Sequence, residues 1–359
     1  MAKRTIIPFG PQHPVLPEPI HLDLVIEDET VVEAIPSIGF IHRGLEKLVE
    51  KNEWPEMVYV IERVCGICSF GHGWGYCKSV EGNMKIEVPQ RAEFLRTIWH
   101  ELGRVHSHLL WLGLLADGFG FESLFMHTWR LRETILNVFE DTTGGRVIFS
   151  VCKVGGVRKD ISAEKLAEIA GILDDIQKEL KELADVFLED VSVKNRLVGV
   201  GVLTKAEAIE FGTVGPMARA SGVINDVRLD GHGAYGSLDF EPIIEDDGDC
   251  YARCKVRVRE VFQSIELIKQ AIDLIPDGEI DLKIKGNPEG EFVGRMEQPR
   301  GEAYYYSKGN GSKFLERMRV RTPTNANIPA MVKTLAGCDL ADVPMLVLTI
   351  DPCISCTER

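Results

Sequence analysis

Two pairs of cysteines near opposite ends of the sequence constrain the fold of this chain more than any other feature. Cys65 and Cys68 form one Cys-x-x-Cys pair, and Cys353 and Cys356 form the other. A spacing of three residues puts both sulfurs of a pair on one side of a helical turn or tight loop, close enough to bind one soft metal ion. If the two pairs share a metal site, folding must bring the beginning and the end of the chain together.

The residues alone leave the kind of metal site open. In zinc ribbons the two pairs lie about 15 to 20 residues apart, whereas Cys353 follows Cys68 by 285 positions. A site that closes only when the last residues dock is more typical of a reactive centre than of a structural zinc staple. An iron–sulfur cluster is a further alternative, but the closely spaced cysteine runs of ferredoxins are missing. The other cysteines are scattered, and we interpret Cys250 and Cys254 as small buried hydrophobic residues.

Composition narrows the class of protein. A chain of 359 residues with 45% hydrophobic content can build one large core or two smaller ones. The net charge of −14 argues against nucleic acid or an anionic membrane surface as a direct partner. The nine cysteines and the lack of a signal-peptide pattern before Pro8 favour the cytoplasm. The most apolar stretch, residues 109–126, is interrupted by charged residues and glycines, so membrane association is expected only through partners.

The hydrophobic pattern predicts a mainly helical α+β fold, with a central helix bundle, a small N-terminal β region and short C-terminal strands. A β-hairpin is expected over residues 20–26 and 31–35. Helices are predicted at residues 43–51, 55–64, 89–115, 122–140, 162–190 and 251–274, with a short one beginning at the first cysteine pair. Short strands are predicted at residues 303–306, 314–320 and 345–350.

The chain is expected to form a single domain, residues 1–359, with three regions. These are the N-terminal β region (1–42), the helical bundle with the first cysteine pair (43–190), and a region of loops, a helix and the second pair (191–359). The glycine-rich part between residues 198 and 249 is expected to wrap on the bundle as loops. The basic residues of the helix that follows are expected to be a solvated face rather than a docking patch; they are Arg253, Lys255, Arg257 and Arg259.

Two motifs carry a resemblance to a known family. Residues 63–72 read Arg-Val-Cys-Gly-Ile-Cys-Ser-Phe-Gly-His, and residues 351–359 read Asp-Pro-Cys-Ile-Ser-Cys-Thr-Glu-Arg. Together they resemble the two motifs that hold the nickel–iron centre in the large, catalytic subunit of [NiFe] hydrogenases. Further segments resemble the membrane-bound, energy-converting group 4 of these enzymes, most closely its Ech-type branch. These segments are residues 10–19, 39–47, 215–222 and 299–302. Group 4 is related to the quinone-site (49 kDa) subunit of complex I.

The resemblance implies specific roles for the four cysteines. Cys65 and Cys353 would be terminal nickel ligands, while Cys68 and Cys356 would bridge nickel to an iron that carries carbon monoxide and cyanide. Such a centre cleaves hydrogen heterolytically and reversibly, and a terminal thiolate, that of Cys353, would accept the proton. Thiolates suit a soft, electron-rich metal.

Other positions match functional residues of the same family. Glu18 stands where the family places its proton-gate glutamate, and Arg300 matches the arginine that overhangs the metals. His72 and Asp351 match residues that orient the ligands, and Arg63 opens the first motif. Without the resemblance, Glu18 would more often be a solvated loop acid, Arg300 a partner in a surface salt bridge, and His72 an ordinary core or surface residue.

Magnesium is a separate question. Glu46 matches a glutamate that binds a structural magnesium beside the C-terminus of many hydrogenases. The last ligand there is a histidine, and this chain has Arg359 in its place. Because a guanidinium cannot ligate a cation, the sequence predicts a Glu46–Arg359 ion pair in place of a magnesium site.

The resemblance also implies partners. Electrons need an exit, so a small subunit with a proximal [4Fe–4S] cluster is expected, with the segment 63–72 facing it. The assembly would include other complex I-like hydrophilic subunits and integral membrane subunits on the cytoplasmic side of the membrane, and it would use ferredoxin. Two alternatives remain: a metal-free scaffold of a quinone site, as in complex I relatives, and a zinc-stapled structural protein.

Overall fold

The N-terminal region is a three-stranded antiparallel sheet in the computed structural model, which describes residues 4–118 and 120–359. Its strands, in the order β1-β2-β3, are β1 (Thr5–Phe9), β2 (His21–Glu27) and β3 (Thr30–Ser37). Leu22, Leu24 and Ile26 alternate with more exposed residues along β2 and point into the core. This confirms the predicted hairpin, whereas β1 was not predicted.

A bundle of long helices forms the centre of the molecule, as predicted. The helices from the first part of the chain are α1 (Leu45–Glu50), α2 (Val58–Ile61), α3 (Ser69–Met84), α4 (Gln90–Gly118) and α5 (Glu122–Thr143). After a small hairpin of β4 (Cys152–Lys153) and β5 (Gly156–Val157) come α6 (Ala163–Glu189), α7 (Val191–Leu197), α8 (Lys205–Glu210), α9 (Pro216–Arg219) and α10 (Cys250–Leu274). The central helix α4 packs against α5 and α10 and is buried on nearly all sides, including Trp99 and Trp111. Such a helix fixes the rest of the bundle around it.

The C-terminal region packs a second antiparallel sheet against the bundle. It contains β6 (Glu289–Gln298), β7 (Gly301–Asn310) and β8 (Leu315–Arg321), followed by α11 (Pro323–Leu335), α12 (Val343–Thr349) and α13 (Ile354–Glu358). Strand β7 lies on α3, where a Cβ on Gly75 would come within 2.2 Å of the Tyr305 ring. Glycine at this position therefore lets β7 pack closely on α3.

Several predictions about local structure were wrong. Residues 345–350, predicted as a strand, lie almost wholly in α12, because a short apolar run reads the same in a buried helix and a buried strand. The helix predicted to begin at the first cysteine pair does start there, with Cys68 as the N-cap of α3, but it has 16 residues and is not short. Strand β6 and helix α11 were not predicted. The strand predicted at residues 303–306 is part of β7, which is ten residues long.

The predicted solvated face of α10 was also wrong in part. Arg253 and Arg257 are buried, at 0% and 1% exposure. Arg257 stacks on the Trp111 ring, with its guanidinium carbon 4.2 Å from the ring centroid. Of the four basic residues of α10, only Lys255 and Arg259 reach the surface, where each pairs with Glu245. A charged side chain can be buried where carbonyls and aromatic rings receive it, which sequence periodicity does not reveal.

Candidate metal centre

The first cysteine pair lies in a tight turn between α2 and α3. The backbone N–H groups of Ile67 and Cys68 both donate to the Cys65 sulfur, at 3.3 Å each. Two such hydrogen bonds favour the negatively charged form of the sulfur. The turn therefore holds both sulfurs of this pair at the start of α3 and pointing inward.

The second pair repeats this arrangement at the end of the chain. Cys353 precedes α13, and the N–H of Cys356 donates to the Cys353 sulfur at 3.4 Å. The N–H of Cys353 is held by the Thr324 hydroxyl at 3.1 Å, and the Thr322 hydroxyl donates to the carbonyl of Cys356 at 2.9 Å. Strand β8 and helix α11, which carry or adjoin these threonines, thus position the tail of the chain.

Folding brings the four sulfurs into one buried cluster. The Cys65 and Cys353 sulfurs are 3.4 Å apart, and those of Cys68 and Cys356 are 4.0 Å apart. The four residues are between 1% and 5% exposed. Each pair of close sulfurs combines one cysteine from each end of the chain, so the site is complete only when both ends are docked.

The pKa values of the thiols indicate that the cluster needs a bound cation. Hydrogen bonds from the neighbouring thiols, first that of Cys353, hold the pKa of Cys65 well below its usual range. Burial raises the pKa of Cys356 well above its usual range. Without a cation the four thiols therefore cannot all ionise, whereas a bound metal would stabilise all four thiolates. The donor set fits a soft metal centre.

His72 lies beside the cluster. Its Nε2 atom is 3.3 Å from the Cys356 sulfur, and the Tyr305 hydroxyl is 2.8 Å from its Nδ1. Because Gln298 donates to that hydroxyl at 2.9 Å, the hydroxyl proton points to Nδ1 and leaves Nε2–H to donate to the sulfur. Although the ligand atoms of His72, Cys65, Cys68 and Cys356 all lie within 4.8 Å of one another, this tautomer makes His72 a hydrogen-bond donor to sulfur.

Arg300 and Asp351 form a buried ion pair next to the sulfurs. Arg300 donates to the Asp351 carbonyl at 2.9 Å and to its carboxylate at 2.7 Å, and also to the Ser107 hydroxyl at 3.3 Å. Burial opposes the charge of Arg300, but the negative charge of Asp351, and then of the nearby cysteine sulfurs, outweighs it and raises the pKa of Arg300. The guanidinium therefore stays charged beside the cluster.

Glu18 reaches the cluster from the N-terminal region. Its carboxylate accepts the backbone N–H of Ser355 at 2.9 Å and also the Ser355 hydroxyl. Ser355 lies between Cys353 and Cys356, and Glu18 is partly exposed. The carboxylate thus connects the second cysteine pair with the protein surface.

Arg63 and Glu46 lie outside this cluster. The Arg63 side chain is exposed and donates to the Tyr59 carbonyl, and its role in the site stays a prediction. Glu46 accepts hydrogen bonds from Arg359 Nε and the Val320 N–H, at 3.0 and 2.8 Å, and from Arg319 at 3.0 Å. Because cationic and backbone donors occupy both carboxylate oxygens, these residues do not fit a magnesium ion.

We expect thermal stability to be independent of magnesium. Adding Mg²⁺ or EDTA should leave the melting temperature of the purified protein unchanged, since Arg359 supplies the positive charge beside Glu46. The variant Arg359→Ala should lose about 1 kcal/mol of stability, and Lys178→Ala, which breaks an exposed pair with Asp175, should lose less. Stabilisation by Mg²⁺ in the natural protein that Glu46→Gln removes would contradict this account.

Three buried residues near the site were not identified from the sequence. Tyr305 and Gln298 orient His72, and nothing in their local sequence indicated this. Glu62, three residues before Cys65, is fully buried, and its carboxylate accepts the N–H and hydroxyl of Ser150 at 3.0 and 3.1 Å. Burial raises the pKa of Glu62 to about 7. The packing of α2 against the chain around Ser150 therefore depends on a titratable carboxyl.

Glu62 should make stability depend on pH. Its pKa is higher in the folded chain, about 7, than the ordinary value of 4.5, so the folded state binds more protons between these values and stability falls as pH rises through this window. The variant Glu62→Gln should lose this part of the pH dependence, about 3 kcal/mol at most. Urea unfolding at pH 5 and pH 7.5 measures the difference. If the free energy of unfolding changes by the same amount between the two pH values in the natural protein and in Glu62→Gln, the effect is excluded.

The mainly helical fold with its small sheets is of the class that hydrogenase large subunits share with the 49 Kd subunit of complex I. The family described as nickel-dependent hydrogenase matches residues 43–116. The family described as respiratory-chain NADH dehydrogenase, 49 Kd subunit, matches residues 118–285 and 283–359. The chain belongs to this family of 49 kDa and [NiFe] hydrogenase large subunits.

Individual relatives agree with the family over nearly the whole chain. The membrane-bound hydrogenase subunit alpha of Pyrococcus furiosus is 38% identical over 98% of this chain and 87% of that protein. The carbon monoxide-induced hydrogenase of Rhodospirillum rubrum is 38% identical over 98% of this chain and 99% of that protein. In the structure of the membrane-bound sulfane sulfur reductase, an archaeal respiratory membrane complex, one chain matches with a TM-score of 0.95 and 31% identity, over 99% of this chain and 98% of that one.

Proposed function

We propose that this chain is the catalytic subunit of a ferredoxin-linked, energy-converting [NiFe] hydrogenase that interconverts hydrogen with two protons and two electrons. The observation that carries the proposal is the buried cluster of four cysteine sulfurs, paired across the two ends of the chain at 3.4 and 4.0 Å. A soft metal would stabilise all four sulfurs as thiolates, whereas without a cation they cannot all ionise in this buried site. Similarity to two hydrogenases over nearly the whole chain supports it further.

The four cysteines would hold the metals in two roles. Cys65 and Cys353 would be terminal ligands to nickel, and Cys68 and Cys356 would bridge nickel and an iron that carries carbon monoxide and cyanide. When bound, this centre supplies the soft, electron-rich metals at which hydrogen is cleaved heterolytically. The donation from His72 to the Cys356 sulfur would hold that bridging ligand in place.

The protein must move the proton and steady the charges. A thiolate, that of Cys353, would take up the proton, and Glu18, bound to the adjacent Ser355, would carry it toward the surface. The permanently charged Arg300, held by Asp351 and Ser107, would place a positive field over the site without itself titrating.

The proposed partners follow from the electron and proton routes. A small subunit with a proximal [4Fe–4S] cluster would exchange electrons with this chain next to the segment 63–72 and with ferredoxin. Relatives named as membrane-bound hydrogenase and respiratory membrane complex support an assembly with complex I-like hydrophilic subunits and integral membrane subunits on the cytoplasmic side. Within residues 4–118 and 120–359, no helix combines the length and apolarity needed to cross a bilayer.

Metal analysis of the purified complex, together with hydrogen production from reduced ferredoxin, tests the proposal. We expect nickel and iron in equal amounts in this subunit, and hydrogen production. The second candidate function, a metal-free subunit of a respiratory complex, is favoured by the match to the NADH dehydrogenase 49 Kd subunit over residues 118–359. A subunit without metal would support the metal-free function, and zinc alone would support a structural zinc site. Either result would refute the proposed hydrogenase function.

A further inference from the structure

Two of the sequence segments that carry the family resemblance, residues 215–222 and 299–302, meet beside the metal centre. The turn at Pro299 and Arg300 joins β6 to β7. Gly215, at a φ of 66°, packs so closely on this turn that a Cβ there would lie 2.3 Å from the Arg300 carbonyl oxygen. Helix α9, which begins directly after Gly215, therefore presses on the backbone of the turn that carries Arg300.

Beneath this contact lies a network of fully buried charged residues, which we call the buried ionic network. Its members are Glu101, Arg104, Arg219, Asp226, Arg228, Glu260 and Glu297, each at most 4% exposed. Arg219 is the centre: it pairs with Glu260 at 2.7 Å, Glu297 at 2.8 Å and Asp226 at 3.1 Å. Because Arg219 comes from α9 and Glu297 from the end of β6, the network ties both motif segments together.

Arg104 connects this network directly to the backbone before the turn. Its guanidinium donates to the carbonyls of Glu297 and Gln298, at 2.7 and 3.4 Å. It is neutralised by Glu101 at 3.3 Å, with Glu260 at 3.7 Å. One helical turn away, His100 donates to the same Glu297 carbonyl at 2.9 Å. The last two residues of β6 are thus held by side chains of the most deeply buried helix.

We propose that the buried ionic network positions the Pro299–Arg300 turn, with Arg104 as the positioning residue that sets the place of the Arg300 guanidinium over the four sulfurs. The inference deepens the proposed function, because the position of Arg300 matters for a reaction only if the sulfurs hold the metals. Arg104 contacts carboxylates and the backbone before the turn but none of the sulfurs, so it acts through Arg300. A guanidinium suits this role, since its planar fork holds two adjacent carbonyls and a carboxylate in a fixed geometry, whereas the lysine ammonium donates from a single nitrogen and does not fix that geometry.

The chain offers a matched control on the same helix. Arg96 lies two turns before Arg104 on α4, is equally buried, and also donates to a glutamate and to two carbonyls, those of Lys153 and Gly156. Its contacts lead to the β4–β5 hairpin rather than to the turn. Arg104→Lys and Arg96→Lys therefore impose the same chemical change on similar surroundings.

We expect the two variants of the purified complex to differ in three readouts. Arg104→Lys should lower hydrogen production roughly 10- to 100-fold by displacing Arg300, shift the infrared bands of the metal-bound cyanide, and speed amide hydrogen exchange in residues 300–303. Arg96→Lys should change none of these, even if it melts at a lower temperature. Adding Arg104→Lys to an Arg300→Lys complex should cost little further activity, because both changes act at one group.

A second variant tests the same turn without changing a charge. Gly215→Ala places a Cβ against the Arg300 carbonyl, whereas Gly212→Ala has a similar φ of 61° and nothing within 4 Å of the added Cβ. Gly215→Ala should shift the same infrared bands and amides, and Gly212→Ala should not. If Arg104→Lys and Gly215→Ala fold and leave the bands and the exchange unchanged, the inference is wrong. If the natural complex shows no such bands, the proposed function fails, while the exchange of residues 300–303 still decides whether the network holds the turn.

Discussion

Replacing Cys65 by serine should abolish hydrogen production and nickel retention. A serine hydroxyl does not ionise at neutral pH and is a poor ligand for a soft metal, so the site would lose one of its four anionic donors. Losing a residue that only supports a metal ligand lowers metal affinity or activity about 10- to 100-fold. Losing the ligand itself should therefore lower both nickel affinity and activity by more than about 100-fold. Activity assays and metal analysis of the same preparation measure the effect.

The control for this prediction is Cys254→Ser. Cys254 is also fully buried, in α10 and outside the cluster, so the variant buries the same hydroxyl in the same fold. It should keep its nickel and most of its activity while losing about 1–3 kcal/mol of stability. Full activity with nickel bound in Cys65→Ser, or equal losses in both variants, would refute the ligand role of Cys65.

Replacing Glu18 by glutamine should slow turnover and leave the metals in place. The glutamine carbonyl can still accept the Ser355 N–H, so the turn between Cys353 and Cys356 keeps its support. The side chain can no longer take up or release a proton, and a positioned acid–base group contributes about 10²- to 10⁴-fold to a rate. This variant should therefore keep its normal metal content while its rate of hydrogen production falls.

Glu50→Gln is the matched control for Glu18. Glu50 also supports a backbone N–H, that of Met318, and it pairs with Lys47 and Arg317 away from the sulfurs. Its replacement should lower stability and leave turnover unchanged. A normal rate in Glu18→Gln would remove Glu18 from the proton route, and loss of the metals would show that Glu18 has a structural role instead.

The sequence predicted the elements whose pattern is long and regular. Helices α4, α6 and α10 were found within a few residues, because an amphipathic or wholly apolar repeat and a capping residue such as Ser162 mark them clearly. The N-terminal hairpin was found because polar residues separate two alternating runs. In these segments local preference and tertiary packing agree.

Elements whose conformation depends on distant contacts were not predictable. The apolar run at residues 345–350 is compatible with a strand and becomes a helix because it packs on α4, where the Trp111 indole N–H donates to the Leu348 carbonyl at 2.7 Å. Arg253 is buried because the carbonyls of Gly201 and Gly248 receive it. Neither contact leaves a signal in the nearby sequence.

Part of the candidate site was likewise predictable from the sequence, and part of it was not. The spacing of the cysteines and the motifs around them indicated which residues gather, and the structure brings the four sulfurs, His72, Arg300, Asp351 and Glu18 together. The residues that orient them, such as Tyr305 and Gln298, come from β7 and β6 and have no motif of their own. Their roles depend on the close approach of that sheet to α3, which only the folded structure reveals.

Infrared spectroscopy of the purified complex tests the central claim most directly, because metal-bound carbon monoxide and cyanide absorb where protein groups do not. We predict bands from both ligands in the natural complex and their loss in Cys65→Ser. A complex whose cysteines from both ends hold only zinc, or no metal, and which shows no such bands would contradict the claim that the two ends of this chain enclose a nickel–iron centre.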